Sequence, residues 1–221
     1  MSVVTDRAAL YAQLRAGAAE LPLAVGADAL ETLLDYIELL TRWNATYNLT
    51  AVRDPQQMIA QHLLDSLAVA GLVQGDSLAD IGSGAGLPGI PLAIVAPERQ
   101  VTLIDANGKK TRFLREVVRS LELGNVRIEA TRVEAARGAY ATVTARAFAA
   151  LGEIVRLAGH LLATDGILIA LKGQLHRDEL LAVPDGFAVA EVRPLRVPGL
   201  AAARHAVIIR RSLAVIRGHA A

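Results

Sequence analysis

The stretch Leu78-Ala79-Asp80-Ile81-Gly82-Ser83-Gly84-Ala85-Gly86-Leu87-Pro88-Gly89-Ile90-Pro91 limits the folds open to this chain more than any other. An apolar run ends in an acid, breaks into glycines at alternate positions and resumes as an apolar, helix-like segment. Pro88 and Pro91 fall in the first turn of that segment, where a missing N–H costs little. The pattern predicts strand, glycine turn, helix. Glycine lacks a Cβ and takes positive φ, so such a turn lets backbone meet a ligand beside the unpaired N–H groups of a helix start. Gly84 and Gly86 are expected to be needed for that approach, with Gly86→Ala costing ligand binding and leaving the fold intact.

The spacing is Gly82-x-Gly84-x-Gly86, with Leu87 where a dinucleotide fingerprint places its third glycine. A plain strand–helix corner is the competing reading. The next element weighs against it: Gln100-Val101-Thr102-Leu103-Ile104-Asp105 is a second short apolar strand ending in a carboxylate, 21 residues after Gly84. An acid at that separation sits on ribose hydroxyls in nucleotide-binding α/β units.

With 221 residues, 53% hydrophobic and 20% charged, the chain suits one α/β domain with an appendage. No apolar run reaches the roughly 18 residues of a membrane span, and the start lacks a basic-then-apolar signal, so a cytoplasmic location is expected. The absence of cysteine excludes disulfides, thiolate metal sites and a cysteine nucleophile. Five scattered histidines lack metal-binding spacing, and no metal is expected. Net charge is +1, but residues 1–78 carry 4 basic and 9 acidic residues against 19 and 13 in 79–221. That asymmetry points to an anionic partner for the larger part.

Residues 6–20 and 28–43 read as amphipathic helices, the second through Leu30, Leu33, Leu34, Ile37, Leu40 and Trp43. They are expected to form a helical cap, residues 1–76. Asp54-Pro55-x-Gln57 supplies an N-cap, a proline at the first helical position and a capping-box glutamine for a third helix running to about Leu72. Its His62, Asp65 and Ser66 share a face opposite Ile59, Leu63, Leu67 and Ala70, and that face is either solvated or shapes a substrate pocket. From 77 to 212 strands and helices alternate: strand 78–82, helix 88–96, strand 100–105, helix 109–122 closed by Gly124, strand 126–130, strand 141–146, helix 150–163 and strand 167–172. This alternation predicts a doubly wound, mainly parallel sheet. Phe187–Val197 and His205–Arg211 read as a closing hairpin at one edge. Residues 213–221 form a tail without clear pattern. The helix from Lys109 carries Lys109, Lys110, Arg112 and Arg115, a face that serves either solubility or phosphate contact.

The acid-glycine turn and the acidic end of the second strand resemble Rossmann-like class I S-adenosylmethionine-dependent methyltransferases. Trp43-Asn44-x-x-Tyr47-Asn48-Leu49-Thr50-x-Val52-Arg53-Asp54-Pro55, His62-x-x-Asp65-Ser66, Gly84-x-Gly86-Leu87-Pro88-Gly89-Ile90-Pro91, Arg132-Val133-Glu134, Arg146-Ala147-Phe148 and Leu171-Lys172-Gly173 together resemble the RsmG (GidB) family. That family methylates guanine N7 in small-subunit ribosomal RNA. The resemblance covers about residues 30–175. It implies S-adenosyl-L-methionine as cofactor, held by the backbone of Gly82, Ser83, Gly84, Gly86 and Leu87, with Asp80 at its edge and Asp105 on the ribose. Val133 and Glu134 would meet the adenine, and Arg146 would face both cofactor and reacting centre. Asn48, His62, Ser66, Lys109, Lys110, Arg112, Arg115, Phe148 and Lys172 fall on the RNA side. The implied partner is small-subunit ribosomal RNA or a ribosomal particle, met by a monomer.

The residues agree with a nucleophile that needs little activation. Guanine N7 carries a free lone pair, so attack on a methyl sulfonium mainly requires positioning. Pyrimidine C5 methylation would want a cysteine, and exocyclic-amine methylation an Asn/Asp-Pro-Pro-aromatic turn where this chain has Ala145-Arg146-Ala147-Phe148. Three other readings stand at this point: an NAD-dependent oxidoreductase, a methyltransferase of another RNA or small molecule, and a non-catalytic cofactor-sensing RNA-binding module.

Overall fold

Alternating apolar runs and glycine or proline breaks build a seven-stranded sheet ordered β3-β2-β1-β4-β5-β7-β6 in the computed structural model, which describes residues 6–212. The strands are β1 (Ser77–Ile81), β2 (Gln100–Ile104), β3 (Val126–Glu129), β4 (Tyr140–Arg146), β5 (Leu162–Lys172), β6 (Phe187–Leu195) and β7 (Arg204–Arg211). The first five run parallel, with Asp80 of β1 beside Leu103 of β2 and Thr144 of β4. The expected hairpin forms, and β7 is its inner strand, antiparallel to β5. The chain moves outward from β1 through β2 to β3, then restarts on the other side with β4. This order opens a crevice beyond the carboxyl ends of β1 and β4, where ligands of such sheets sit.

The helices are α1 (Arg7–Ala19), α2 (Ala27–Tyr47), α3 (Pro55–Met58), α4 (Asp65–Leu67), α5 (Gly89–Val95), α6 (Gly108–Ser120), α7 (Leu151–Ala158) and α8 (Arg177–Leu181). On one face of the sheet a core joins Leu14, Leu33, Leu34, Ile37 and Leu40 of the first two helices to Ile90, Phe113, Leu114 and Ile169. On the other face Leu151, Ile154 and Val155 pack on Val143, Leu168 and Ile209. Trp43 and Tyr36 both stack toward Phe113, with ring centroids 5.7 and 6.5 Å away. The N-terminal helices and the sheet therefore share one core.

Several boundaries differ from the sequence expectation. Between α3 and α4 the chain widens into a π-helical segment, Ile59–Leu64, and the expected single helix ends in a separate 3-10 turn, Ala70–Leu72. Asp54 caps α3 by accepting from the Gln56 N–H, while Gln57 turns to Gln61 rather than back to the cap. The turn after α6 takes positive φ at Glu122 (53°), not at Gly124. β5 begins at Leu162 where helix was expected, because α7 closes at Ala158 into a 3-10 turn. The tail 213–221 and residues 1–5 lie outside the described residues.

Candidate active site

The glycine turn hangs from β1 by its polar side chains. Ser83 Oγ donates to the Asp80 carbonyl (2.8 Å), and its N–H donates to the Ile104 carbonyl (3.2 Å). The Gly86 and Leu87 N–H groups both donate to the Ser83 carbonyl, so the turn is closed from within. Gly84 presents its N–H to Asp105 Oδ2 (2.9 Å), and the Asn107 N–H reaches Asp105 Oδ1 (2.7 Å). One lone pair remains on each carboxylate oxygen. From the cap, the fully buried Tyr36 hydroxyl donates to the Ala85 carbonyl (2.8 Å).

The three alternate glycines face different surroundings. All take positive φ: 60° at Gly82, 61° at Gly84 and 93° at Gly86. A Cβ on Gly84 would have its nearest neighbour, the Gly82 carbonyl oxygen, at 3.7 Å. One on Gly86 would lie 2.5 Å from Ile90 Cγ1 and 2.9 Å from Leu114 Cδ2. Gly86 thus faces the core, which corrects its expected place on the ligand side. At Gly82 a Cβ would strike the Phe148 ring at 2.3 Å, because Phe148 folds back across the turn.

Asp80 is likewise corrected. It is 0% exposed and lies beneath the turn: Oδ2 accepts from the Gly89 N–H (3.1 Å) at the start of α5, and Oδ1 accepts from Thr144 Oγ1 (2.9 Å). Burial pushes its carboxyl up to about 7, against the pull of those two hydrogen bonds. Its task is to tie α5 and β4 to β1.

Beside the turn opens a cavity of about 490 Å³ lined by Gly82, Asp105, Lys110, Val133, Glu134 and Phe148, among others. Val133 is buried in a 3-10 turn, Val133–Ala135, and Glu134 is exposed at the rim. A second cavity, about 370 Å³, lies past the ends of β4 and β5 and is lined by Gln61, His62, Asp65, Arg146, Ala147, Leu171, Lys172, Gly173 and Arg204. Ala147 alone belongs to both linings, and it takes positive φ (49°).

In the second cavity Asp65, 2% exposed, is gripped from two sides. Arg146 Nη1 donates to Oδ2 (2.8 Å) and Arg204 Nε to Oδ1 (3.0 Å). Arg146 Nη1 also reaches the Gln61 carbonyl of the π-helical segment (3.1 Å). His62 is buried with Nε2 on Thr50 Oγ1 (2.9 Å), and its pKa is held down by loss of solvent. Ser66 is fully buried and donates to the His62 carbonyl, so it cannot reach a substrate as expected. The shared face of His62, Asp65 and Ser66 is therefore not a solvated surface: His62 and Asp65 line the second cavity, and Ser66 does not. Lys172 pairs with Glu179 and donates to the Ala149 carbonyl (2.9 Å). Glu179 also accepts from the Leu151 N–H (3.2 Å), standing in for a cap at α7.

Asn48 ends α2 at φ 50° and accepts from Arg53 (2.7 Å). Asn44, buried, braces that loop through the Val52 carbonyl and Thr50 N–H. Lys109, Arg112 and Arg115 stand exposed on α6, whereas Lys110 leans to within 3.9 Å of Asp105. Asp65 was weighed from sequence only as part of a face that could shape a pocket, and Arg204 was not singled out. Their pairings span 81 and 139 positions, and Arg204 lies in a region without recognisable pattern.

Residues 29–208 match the GidB family, rRNA small subunit methyltransferase G. The chain belongs to this family. It is 56% identical over 179 residues to the ribosomal RNA small subunit methyltransferase G of Stenotrophomonas maltophilia (strain K279a), covering 80% of this chain and 84% of that one. To the protein of the same name from Xanthomonas axonopodis pv. citri (strain 306) it is 54% identical over 181 residues, 81% and 85% of the two chains. In fold it is similar to a SAM dependent methyltransferase from Aquifex aeolicus, with a TM-score of 0.53, 18% identity, and 71% and 93% of the two chains covered. This GidB member is accordingly an S-adenosylmethionine-dependent methyltransferase, and the oxidoreductase reading is set aside. No helix among the described residues is long and apolar enough to cross a membrane.

Proposed function

We propose that this GidB-family chain transfers the methyl group of S-adenosylmethionine to N7 of a guanine in 16S, the small-subunit, ribosomal RNA. The observation that carries the reading is the pair of cavities meeting at Ala147, one beside the glycine turn with carboxylates and one with guanidiniums. The first suits the cofactor. Asp105 keeps a lone pair on each oxygen for two ribose hydroxyls, Val133 and Glu134 offer an apolar wall and an acceptor for an adenine, and Gly84 leaves open space where backbone would meet the amino-acid part. The cofactor supplies an electrophilic methyl group on a positively charged sulfur.

The second cavity suits an RNA base. The remaining N–H groups of Arg146 and Arg204 can hold a guanine carbonyl oxygen or a phosphate, and Phe148, partly exposed, offers a ring for stacking. With the cofactor held there, the N7 lone pair would take the methyl group and the S–C electron pair would stay on sulfur, so the base would gain the positive charge and this chain's residues would have no proton to move. The chain need only position and hold the base. His62 is in keeping with this: it is buried, its pKa is lowered by that burial, and it is engaged with Thr50. The exposed cations of α6, Lys109, Arg112 and Arg115, extend a phosphate-binding surface next to the cofactor side. We take the protein to act in the cytoplasm as a monomer.

The test is to incubate the protein with methyl-labelled cofactor and unmodified small-subunit RNA or particles, then map the modified atom. A single 7-methylguanine is expected, and Arg146→Ala should lose most turnover. Label on another atom, or none, would overturn the proposal.

A further inference from the structure

Two guanidiniums share a single buried carboxylate beside the second cavity, and this fixes both geometry and charge. Asp65 sits on α4, directly after the π-helical segment, Arg146 closes β4 and Arg204 opens β7, so one side chain ties three distant elements at 2.8 and 3.0 Å. Arg146 Nη1 is further held by the Gln61 carbonyl, and Arg204 Nη1 by that of Ala203 (3.0 Å). Nη2 of each arginine has no protein acceptor among the described residues. Lys172 is neutralised by Glu179, and burial disfavours a charge on His62 by lowering its pKa. Two cations and one anion therefore face the cavity, a net single positive charge. A base methylated at N7 becomes a cation, and two uncompensated guanidiniums would repel it as it forms.

We infer that Asp65 is a positioning residue for the transfer step: it holds Arg146 against the wall between the cavities and halves the positive charge facing the base. The inference rests on the N7 reading above. Asp65 need not touch RNA or cofactor, since it acts through the two arginines. The helix widening matters here because it brings the Gln61 carbonyl and the Asp65 carboxylate to the same nitrogen.

The experiment compares full-length wild type with Asp65→Asn, using labelled-methyl incorporation into small-subunit RNA, S-adenosylhomocysteine titration and thermal melting. Turnover should fall on the order of 100-fold as Arg146 loses its anchor. The KM for RNA should stay level or drop, because the cavity has gained positive charge, and S-adenosylhomocysteine affinity should stay within about threefold of wild type. A kcat within about twofold of wild type would overturn the inference, as would a fall in kcat matched by loss of S-adenosylhomocysteine binding, the mark of a merely structural defect. Should Asp65→Asn fail to fold, Asp65→Asn/Arg204→Gln decides, because it removes a cation along with the anion. This double variant should melt near wild type and remain slow; recovery of wild-type kcat would mean that Asp65 only neutralises Arg204, and the positioning role would fall. Mapping of the methylated atom in the wild-type arm separates failure of the N7 reading from failure of the role given to Asp65.

Discussion

Within five positions the glycine turn holds residues with opposite obligations. Gly84→Ala should stay folded, losing about 1–2 kcal/mol to the left-handed backbone, and should weaken S-adenosylhomocysteine binding in calorimetry. Gly86→Ala carries the same backbone cost plus overpacking against Ile90 and Leu114, so about 2–5 kcal/mol is expected in denaturant melts. Equal stability of the two variants would contradict the assignment. Asp80 gives a second check. Its carboxyl titrates near 7 when folded and near 3.8 when unfolded, so across that window the folded chain keeps a proton that the unfolded chain has released. Stability from this group therefore falls as pH rises from about 4 to about 7 and levels off above. Asp80→Asn cannot titrate, and urea melts at pH 4.5, 6 and 8 should show it gaining on wild type with rising pH; a constant difference would sink the point. The sequence made Asp80, Ser83 and Ser66 recognisable as special, since polar residues interrupt apolar runs there. It did not reveal that they serve the interior, because α5, β4 and the π-helical segment, which cover them, are brought there by distant parts of the chain.

Elements were most legible where a period ran unbroken. The strands from β1 to β4 and helices α2 and α6 could be placed within a few residues, because alternation and the i, i+3, i+4 rule both report burial. The π-helical widening left no such trace: its i to i+5 bonding alters which carbonyl is free, not which residues are apolar. Helix α8 is short and its side chains are not buried, so it had no apolar stripe to read. The tie between cap and turn, Tyr36 to Ala85, was hidden for a similar reason, since a tyrosine on an apolar helix face reads as core. Tyr36→Phe keeps the ring against Phe113 and strands the Ala85 carbonyl. It should cost about 1–3 kcal/mol in melts and weaken S-adenosylhomocysteine binding, and unchanged affinity would mean that the cap does not brace the turn.

At the scale of the whole molecule, the doubly wound, mainly parallel sheet followed from the alternation of strand and helix. The placing of β7 inside β6 did not, since a hairpin can add to a sheet by either strand. The cavity beside the glycine turn, proposed above for the cofactor, was legible in its Gly82 and Asp105. On the other side Arg146, His62 and Lys172 were legible as motif residues, but the link from Arg146 through Asp65 to Arg204 was not, because Asp65 and Arg204 meet only after the sheet is complete. One consequence concerns traffic. The two cavities have Ala147 as their only common lining residue, so under the proposed function donor and acceptor would enter by separate doors. Neither has to wait for the other: a spent donor can be exchanged while RNA stays docked, and the kinetic mechanism should be random rather than ordered. Product-inhibition rates should show S-adenosylhomocysteine competing with the donor alone, whereas RNA binding that strictly requires prior cofactor would mean that the doors are coupled.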